Sequence, residues 1–152
     1  MWHIEARDGE QMQIFLLAFS DYLAEVGGRA DVDLIVADPA YEKEAKRSLD
    51  LLKSRALERF AARNSILRRI SGTDPLMGYD IDVNDIEERA AFSQLAHRTI
   101  HAEAWEGNRQ LLCSVESDTS MYIDMDAETL MRIISETRKS GVTVKFEEVT
   151  PA

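Results

Sequence analysis

The sequence lacks the features that mark disulfide-stabilised, secreted or membrane-spanning proteins. Its 152 residues include one cysteine, Cys113, which excludes an internal disulfide and is typical of a reducing compartment. The apolar stretch near Phe15 is short and is interrupted by Asp21, so it does not predict a bilayer-spanning helix. Residues 1–5 contain no basic leader before an apolar run, so no secretory signal is expected. We therefore expect a cytoplasmic protein without a membrane partner.

An excess of basic residues is also missing. The chain has 18 Lys and Arg residues against 28 Asp and Glu residues, a formal net charge of −10. Nucleic-acid-binding proteins usually need a basic face that releases counterions from phosphates, so we expect no nucleic-acid partner. An acidic surface favours solubility and suits a basic protein partner. Length and a hydrophobic content of 45% predict one folded domain over residues 1–152.

No complete catalytic or cofactor motif is present in the sequence. It has no Gly-rich phosphate loop, no serine between glycines and no basic patch interleaved with aromatic residues. Residues 80–84 begin like a calcium-binding loop, but Asp85 replaces the glycine of the sharp turn and Ala91 replaces the closing glutamate. This segment therefore predicts a solvated acidic loop, and we expect no cofactor and no metal there. No motif places the chain in a named family.

Two histidines and the single cysteine are the remaining candidates for chemistry. His97 and His101 are four residues apart, a spacing that lets two imidazoles share a metal on one helix, but Arg98 stands where a zinc protease has glutamate. If residues 99–105 form a strand, that spacing loses its meaning. Cys113 lies in a strand pattern and is predicted to be a buried, small apolar side chain rather than an activated thiolate.

The last third of the chain has the clearest secondary-structure pattern. Alternating apolar residues predict two antiparallel strands, over residues 111–116 and 119–125. Asp126 is predicted to cap a helix that ends at Gly141, and residues 142–149 then predict a closing strand. This strand-strand-helix-strand unit predicts a mostly antiparallel sheet in an α+β fold.

The N-terminal half supplies the rest of the predicted core. Residues 2–6 alternate like a strand, and residues 10–26 carry apolar side chains around a wide arc of a helix. Such a helix packs on two sides, so we place it at the centre of the domain. Residues 34–37 form a short apolar run that fits either a buried strand or the start of a packed helix. Asn84 is a candidate cap for a helix extending to about His97.

A basic helical region is predicted between the Asp38 cap and Gly72. Its residues 39–72 carry nine cations against four anions, whereas residues 73–91 are strongly acidic. A single helix over 39–72 would be roughly 50 Å long at about 1.5 Å per residue, so we expect a break near residues 63–65 or a projecting arm. The two segments can pair internally, stack between molecules or face a partner.

The function hypothesis follows from acidity and from the absent motifs. We expect a non-enzymatic protein-binding module, most concretely an immunity or inhibitor protein that neutralises a basic toxin or nuclease in a bacterial-type cytoplasm. Its predicted binding surface is an acidic ridge, formed by Tyr79, Asp80, Asp82, Asp85, Glu87 and Glu88. One alternative is a small-molecule-binding domain or an enzyme that uses His97, His101, Glu103 or Cys113. A second is a homo-oligomer in which basic and acidic segments of neighbouring copies meet.

Overall fold

The computed structural model of the chain describes residues 1–63, 78–114 and 117–150, with the backbone alone at residues 60–63. The strands in these ranges are β1 (Trp2–Glu5), β2 (Arg29–Asp33), β3 (Gly78–Ile81), β4 (Ala102–Glu106), β5 (Arg109–Cys113), β6 (Ser120–Ile123) and β7 (Lys145–Glu148). The helices are α1 (Gly9–Glu25), α2 (Pro39–Glu44), α3 (Lys46–Arg63), α4 (Ile86–Leu95) and α5 (Ala127–Lys139). The predicted α+β fold is confirmed.

The described strands form one antiparallel sheet in the order β3-β2-β4-β5-β6-β1-β7. The two predicted antiparallel strands are present as β5 and β6, with Leu112 opposite Ile123, whereas residues 115 and 116 of the first predicted strand lie outside the described ranges. The connection from β4 to β5 is a tight turn in which Gly107 takes a φ of 57°. Helix α5 then carries the chain from β6 to the edge strand β7, which pairs with β1. The predicted C-terminal unit is therefore completed by the N-terminal strand.

Helix α1 packs between α4 and α5, which confirms the prediction of a central N-terminal helix. Its fully buried Phe15 and Phe19 belong to one hydrophobic cluster with Phe92 of α4 and Ile134 of α5. The sheet contributes to this cluster the inward side chains Ile4, Ala30, Val32, Ala102, Ala104, Leu112, Met121 and Ile123. None of the described helices is both long enough and apolar enough to cross a membrane.

Helix ends follow the predicted caps with one exception. Asp126 accepts a hydrogen bond from the Thr129 amide at 2.8 Å, and Gly141 ends α5 with a φ of 81°. The predicted cap at Asn84 is wrong, because Asp85 caps α4 through two amides of the first turn. The Asn84 amide instead donates to the Asp82 carboxylate at 3.0 Å, so this asparagine belongs to the turn before the helix.

Two predictions for the β2 and β3 region need correction. The apolar run at residues 34–37 is not a regular strand or helix, since only Val36 makes an isolated bridge, to Thr99. The regular strand here is β2, which precedes the apolar run. Its buried Ala30 and Val32 alternate with polar residues, as expected for a sheet that is buried on one face. Residues 80–84 do not form a loop throughout, since β3 runs to Ile81 and pairs with β2.

The basic helical region is broken at Ala45, which separates α2 from α3. Ala45 is fully buried, and its amide donates to the Tyr41 carbonyl at 2.8 Å. The break that we predicted near residues 63–65 is not tested, because residues 64 and 65 lie outside the described ranges. Helix α3 packs along α4, so the basic and acidic segments meet within one chain.

Candidate functional site

The face of the sheet opposite the described helices carries mostly polar side chains, and we call it the open face. Successive side chains of a strand point to opposite faces of the sheet. A side chain whose neighbours along the strand are buried in the core therefore belongs to the open face. Its members are Asp80, Arg29, Asp31, Asp33, His101, Glu103, Trp105, Gln110, Cys113, Ser120, Tyr122, His3, Glu5, Lys145 and Glu147. Six of these residues are carboxylates, whereas only Arg29 and Lys145 carry a fixed positive charge.

One residue from each strand contributes to a single row across the open face. The pairing registers join these residues in the order Asp80, Asp31, Glu103, Cys113, Tyr122, His3 and Glu147, which we call the cross-strand row. Directly opposite residues in antiparallel strands have Cβ atoms about 4.5–5.5 Å apart. The first three members are therefore adjacent carboxylates, a repulsive arrangement that a cation or a basic partner would relieve.

Asp31 and Glu103 of the row lie close to His101, and we call these three residues the carboxylate–histidine cluster. One donor atom from each side chain lies within 4.8 Å of the other two. His101 Nε2 lies 3.1 Å from Glu103 Oε1. Burial raises the pKa of Asp31, and the negative charge of Glu103 adds to this rise. The cluster therefore concentrates negative charge next to an imidazole.

The backbone and the neighbouring side chains hold this cluster in place. The His101 carbonyl accepts hydrogen bonds from the Asp33 amide at 2.8 Å and from the Thr99 hydroxyl at 3.1 Å. The Trp105 indole N–H donates to Glu103 Oε2 at 3.1 Å. The Arg29 guanidinium lies 5.2 Å from the Trp105 ring centroid. Both oxygen atoms of the Glu103 carboxylate therefore have partners on the open face.

Cys113 lies in the middle of the cross-strand row, and the prediction that it is buried is wrong. A register shift between β4 and β5 turns both Leu111 and Leu112 toward the core, so the following residue points to the open face. Partial desolvation of the sulfur raises the pKa of the Cys113 thiol, and the charge of Glu103 raises it further. The neutral thiol is therefore favoured over a thiolate nucleophile.

The far end of the cross-strand row contains a second histidine–carboxylate pair. The His3 ring centroid lies 5.0 Å from that of Tyr122 on the neighbouring strand. His3 Nδ1 lies 3.4 Å from Glu147 Oε1, and the Glu147 side chain is 72% exposed. Among the described residues, this pair is not part of a group of three potential metal donors.

His97 does not share a site with His101. It is 2% exposed, and its ring centroid lies 6.4 Å from that of Tyr41. Burial lowers the pKa of His97 to about 4, the positive charge of Arg98 contributes to the same effect, and the backbone of Ser93 opposes it. Of the four residues proposed for chemistry, His101, Glu103 and Cys113 therefore lie on the open face, whereas His97 lies in the core.

The six residues of the predicted acidic ridge lie in different environments. Tyr79 is 7% exposed on the inner face of β3, and the Glu88 side chain is 1% exposed. The Glu88 carboxylate forms an ion pair with Arg59 and accepts a hydrogen bond from the Asp82 amide at 2.7 Å. These two ridge residues therefore belong to the packed interior between α3, β3 and α4.

The other ridge residues are exposed or partly exposed. Arg55 of α3 lies 3.8 Å from the Asp85 carboxylate and 3.1 Å from the Glu87 carboxylate, so part of the acidic charge is paired within the chain. Asp82 contributes to the turn before α4. Asp80 projects onto the open face at the start of the cross-strand row.

Sequence reasoning identified His101 and Glu103 but missed Asp31 and Trp105. A signal for Asp31 is present in the alternation of Arg29, Asp31 and Asp33 with two buried residues. The pairing of β2 with β4, which brings Asp31 opposite Glu103, depends on the whole fold. Comparison of the chain with protein-family models, with curated proteins and with solved structures finds no match.

Proposed function

We propose that this chain is a non-enzymatic protein-binding module that recognises a basic protein through the open face, in the manner of an immunity or inhibitor protein. The observation that supports this proposal is the composition of the open face, which has six carboxylates and two basic residues. Such a charge distribution steers a basic partner and raises its association rate.

The open face also has the shape and the aromatic residues of a protein-binding surface. Seven adjacent strands form one continuous surface, and the described helices pack on the other side. Trp105 is partly exposed and Tyr122 is 38% exposed, within a surface that is otherwise polar. Tyrosine and tryptophan are enriched in protein interfaces because they bury much apolar area and retain a polar group. Acidic residues around these two aromatics provide charge complementarity to lysine and arginine.

The open face is a better candidate than the acidic ridge for this recognition. Two ridge carboxylates are near Arg55 and a third is buried against Arg59. These contacts neutralise part of the ridge within the molecule. Glu5 and Asp80, by contrast, are exposed on the open face, where they are accessible to a basic protein.

The proposal can be tested with two variants that reverse equal numbers of exposed carboxylates. The open-face variant carries Glu5→Lys, Asp80→Lys and Glu147→Lys. The control variant carries Glu25→Lys, Glu58→Lys and Glu136→Lys on three helices, where each side chain makes an exposed ion pair of small energetic value. Both variants therefore have the same net charge, and only the position of the reversed charges differs.

Each protein is immobilised and exposed to a native-host lysate at low salt, and bound proteins are eluted with increasing salt. We expect wild type and the control variant to retain the same basic protein, and the open-face variant to lose it. The isolated partner then gives the dissociation constants by titration. Equal binding to all three proteins, or retention of no basic protein by the wild type, would contradict the proposal.

A further inference from the structure

We propose that the carboxylate–histidine cluster is a binding site for one divalent transition-metal ion, for which Zn²⁺ is the best-suited probe. Asp31, His101 and Glu103 supply two carboxylate oxygens and one imidazole nitrogen from the adjacent strands β2 and β4 and the residue preceding β4. This site lies on the open face, but it needs no partner protein, so its test and the test of the proposed function can fail separately.

The distances within the cluster are close to those of a metal site. Zinc bonds to nitrogen and oxygen ligands are about 2.1 Å long, so neighbouring ligand atoms of a tetrahedral site stand about 3.4 Å apart. His101 Nε2 and Glu103 Oε1 already lie 3.1 Å apart. One donor atom from each of the three side chains lies within 4.8 Å of the other two, so closing the tetrahedral site needs an approach of at most about 1.4 Å between any two donors.

The donor types favour a transition metal over magnesium or calcium. Magnesium and calcium prefer oxygen ligands, and magnesium dehydrates reluctantly. A neutral imidazole nitrogen combined with carboxylate oxygens suits zinc and its neighbours in the first transition row. Three protein donors leave a position for water or for an incoming ligand, as in zinc sites that are open to solvent.

Contacts outside the three donors hold the site in a defined geometry. Trp105 Nε1 donates to Glu103 Oε2 at 3.1 Å, which leaves Oε1 directed at His101. The His101 backbone is fixed to Asp33 by a hydrogen bond of 2.8 Å. Such outer contacts orient metal ligands, and their removal typically lowers metal affinity about 10- to 100-fold. The charge of neighbouring Asp80, opposite Asp31 in the sheet, adds attraction for a cation.

Isothermal titration calorimetry of the purified chain with ZnCl₂ tests the site directly. We expect one zinc ion per chain, and no comparable binding of MgCl₂ or CaCl₂. Trp105 adjoins the site, so in a Trp2→Phe background its fluorescence should change with the same stoichiometry. The substitutions Asp31→Asn, His101→Gln and Glu103→Gln should each weaken zinc binding at least about tenfold, because each removes a metal ligand.

Two control variants separate this site from other zinc-binding groups. His3→Gln removes an imidazole that pairs with Glu147 and that has no third metal donor nearby among the described residues, so it should leave zinc affinity unchanged. Cys113→Ser removes the thiol opposite Glu103, and it should also leave zinc affinity unchanged. Far-UV circular dichroism checks that every variant is folded. A wild-type dissociation constant weaker than about 1 mM, or a loss of affinity with either control instead of the ligand variants, would overturn the proposal.

Discussion

Glu88 of α4 and Arg59 of α3 form an ion pair in which the Glu88 side chain is 1% exposed and the Arg59 side chain is 30% exposed. The guanidinium of Arg59 also donates to the Asp80 carbonyl at 2.8 Å and so links α3 to the edge strand β3. The uneven charge along the chain therefore has a structural role. The basic α3 pairs with acidic groups of the segment that follows it, whereas the described helices pack on the side of the sheet opposite the open face.

Removing one partner from this pair is expected to be strongly destabilising. In Arg59→Ala the buried Glu88 carboxylate loses its closest cation and keeps Arg55, whose Nε lies 3.9 Å away, so we expect a loss of about 2 kcal/mol. Glu87→Ala is the matched control, because Glu87 also pairs with an α3 arginine but is 61% exposed, and its loss should cost under about 1 kcal/mol. Urea unfolding measures both free energies. Equal losses of unfolding free energy in the two variants would contradict the prediction that the buried Glu88 carboxylate depends on Arg59.

Asp31 is the middle one of the three adjacent carboxylates in the cross-strand row, and neutralising it should stabilise the metal-free protein. Asp31 lies between Asp80 and Glu103 on the neighbouring strands, and like charges directly opposite each other in a sheet are destabilising. Asp31→Asn should therefore raise the free energy of unfolding by about 0.5 kcal/mol at pH 7 with a chelator present. Glu5→Gln is the control, since Glu5 stands opposite Lys145 and its neutralisation should not stabilise. A loss of stability in Asp31→Asn would contradict this account.

The elements predicted best from the sequence are those whose signals are local. The cap at Asp126 and the end at Gly141 lie within a few residues of the hydrogen bonds that they make, so the bounds of α5 follow from the sequence. The wide apolar arc of α1 likewise predicts contacts on two sides. Both features depend on intrinsic helix geometry, which the neighbouring elements do not alter.

The candidate site was less predictable because its geometry is set by pairing between distant strands. Asp31 and Glu103 are far apart in sequence, and only the insertion of β2 between β3 and β4 brings them together. The exposure of Cys113 depends on an irregularity in the β4–β5 register, which reverses the alternation after Leu112. A one-residue shift moves every following side chain to the other face, so alternation alone gives the wrong face.

Gly141 is expected to be intolerant of a side chain. Its φ of 81° permits hydrogen bonds from the Gly141 amide to Arg138 at 2.9 Å and from the Val142 amide to Thr137 at 3.4 Å. A residue with a Cβ atom is strained in this conformation, so Gly141→Ala should lower the free energy of unfolding by about 1 kcal/mol. Gly78→Ala is the control, because Gly78 lies in strand β3 and no heavy atom of the described residues lies within 4 Å of its added Cβ. Similar thermal melting curves for the two variants would contradict the assignment of strain to Gly141.

Buried His97 should make the protein less stable in mild acid. Burial lowers its pKa from 6.5 to about 4, so between these pH values the unfolded chain binds a proton that the folded chain does not. The free energy of unfolding should therefore fall as the pH decreases from 6.5 to 4, by about 3 kcal/mol in total. His97→Leu removes this proton uptake and should flatten the pH dependence relative to the wild type. Urea unfolding at intervals between pH 4 and pH 7 measures each slope. An unchanged slope in His97→Leu would contradict the assignment of this proton uptake to His97. The lowered pKa of Asp8 and of Asp124 confines their effects to lower pH, and the raised pKa of Asp31 has an effect of the opposite sign.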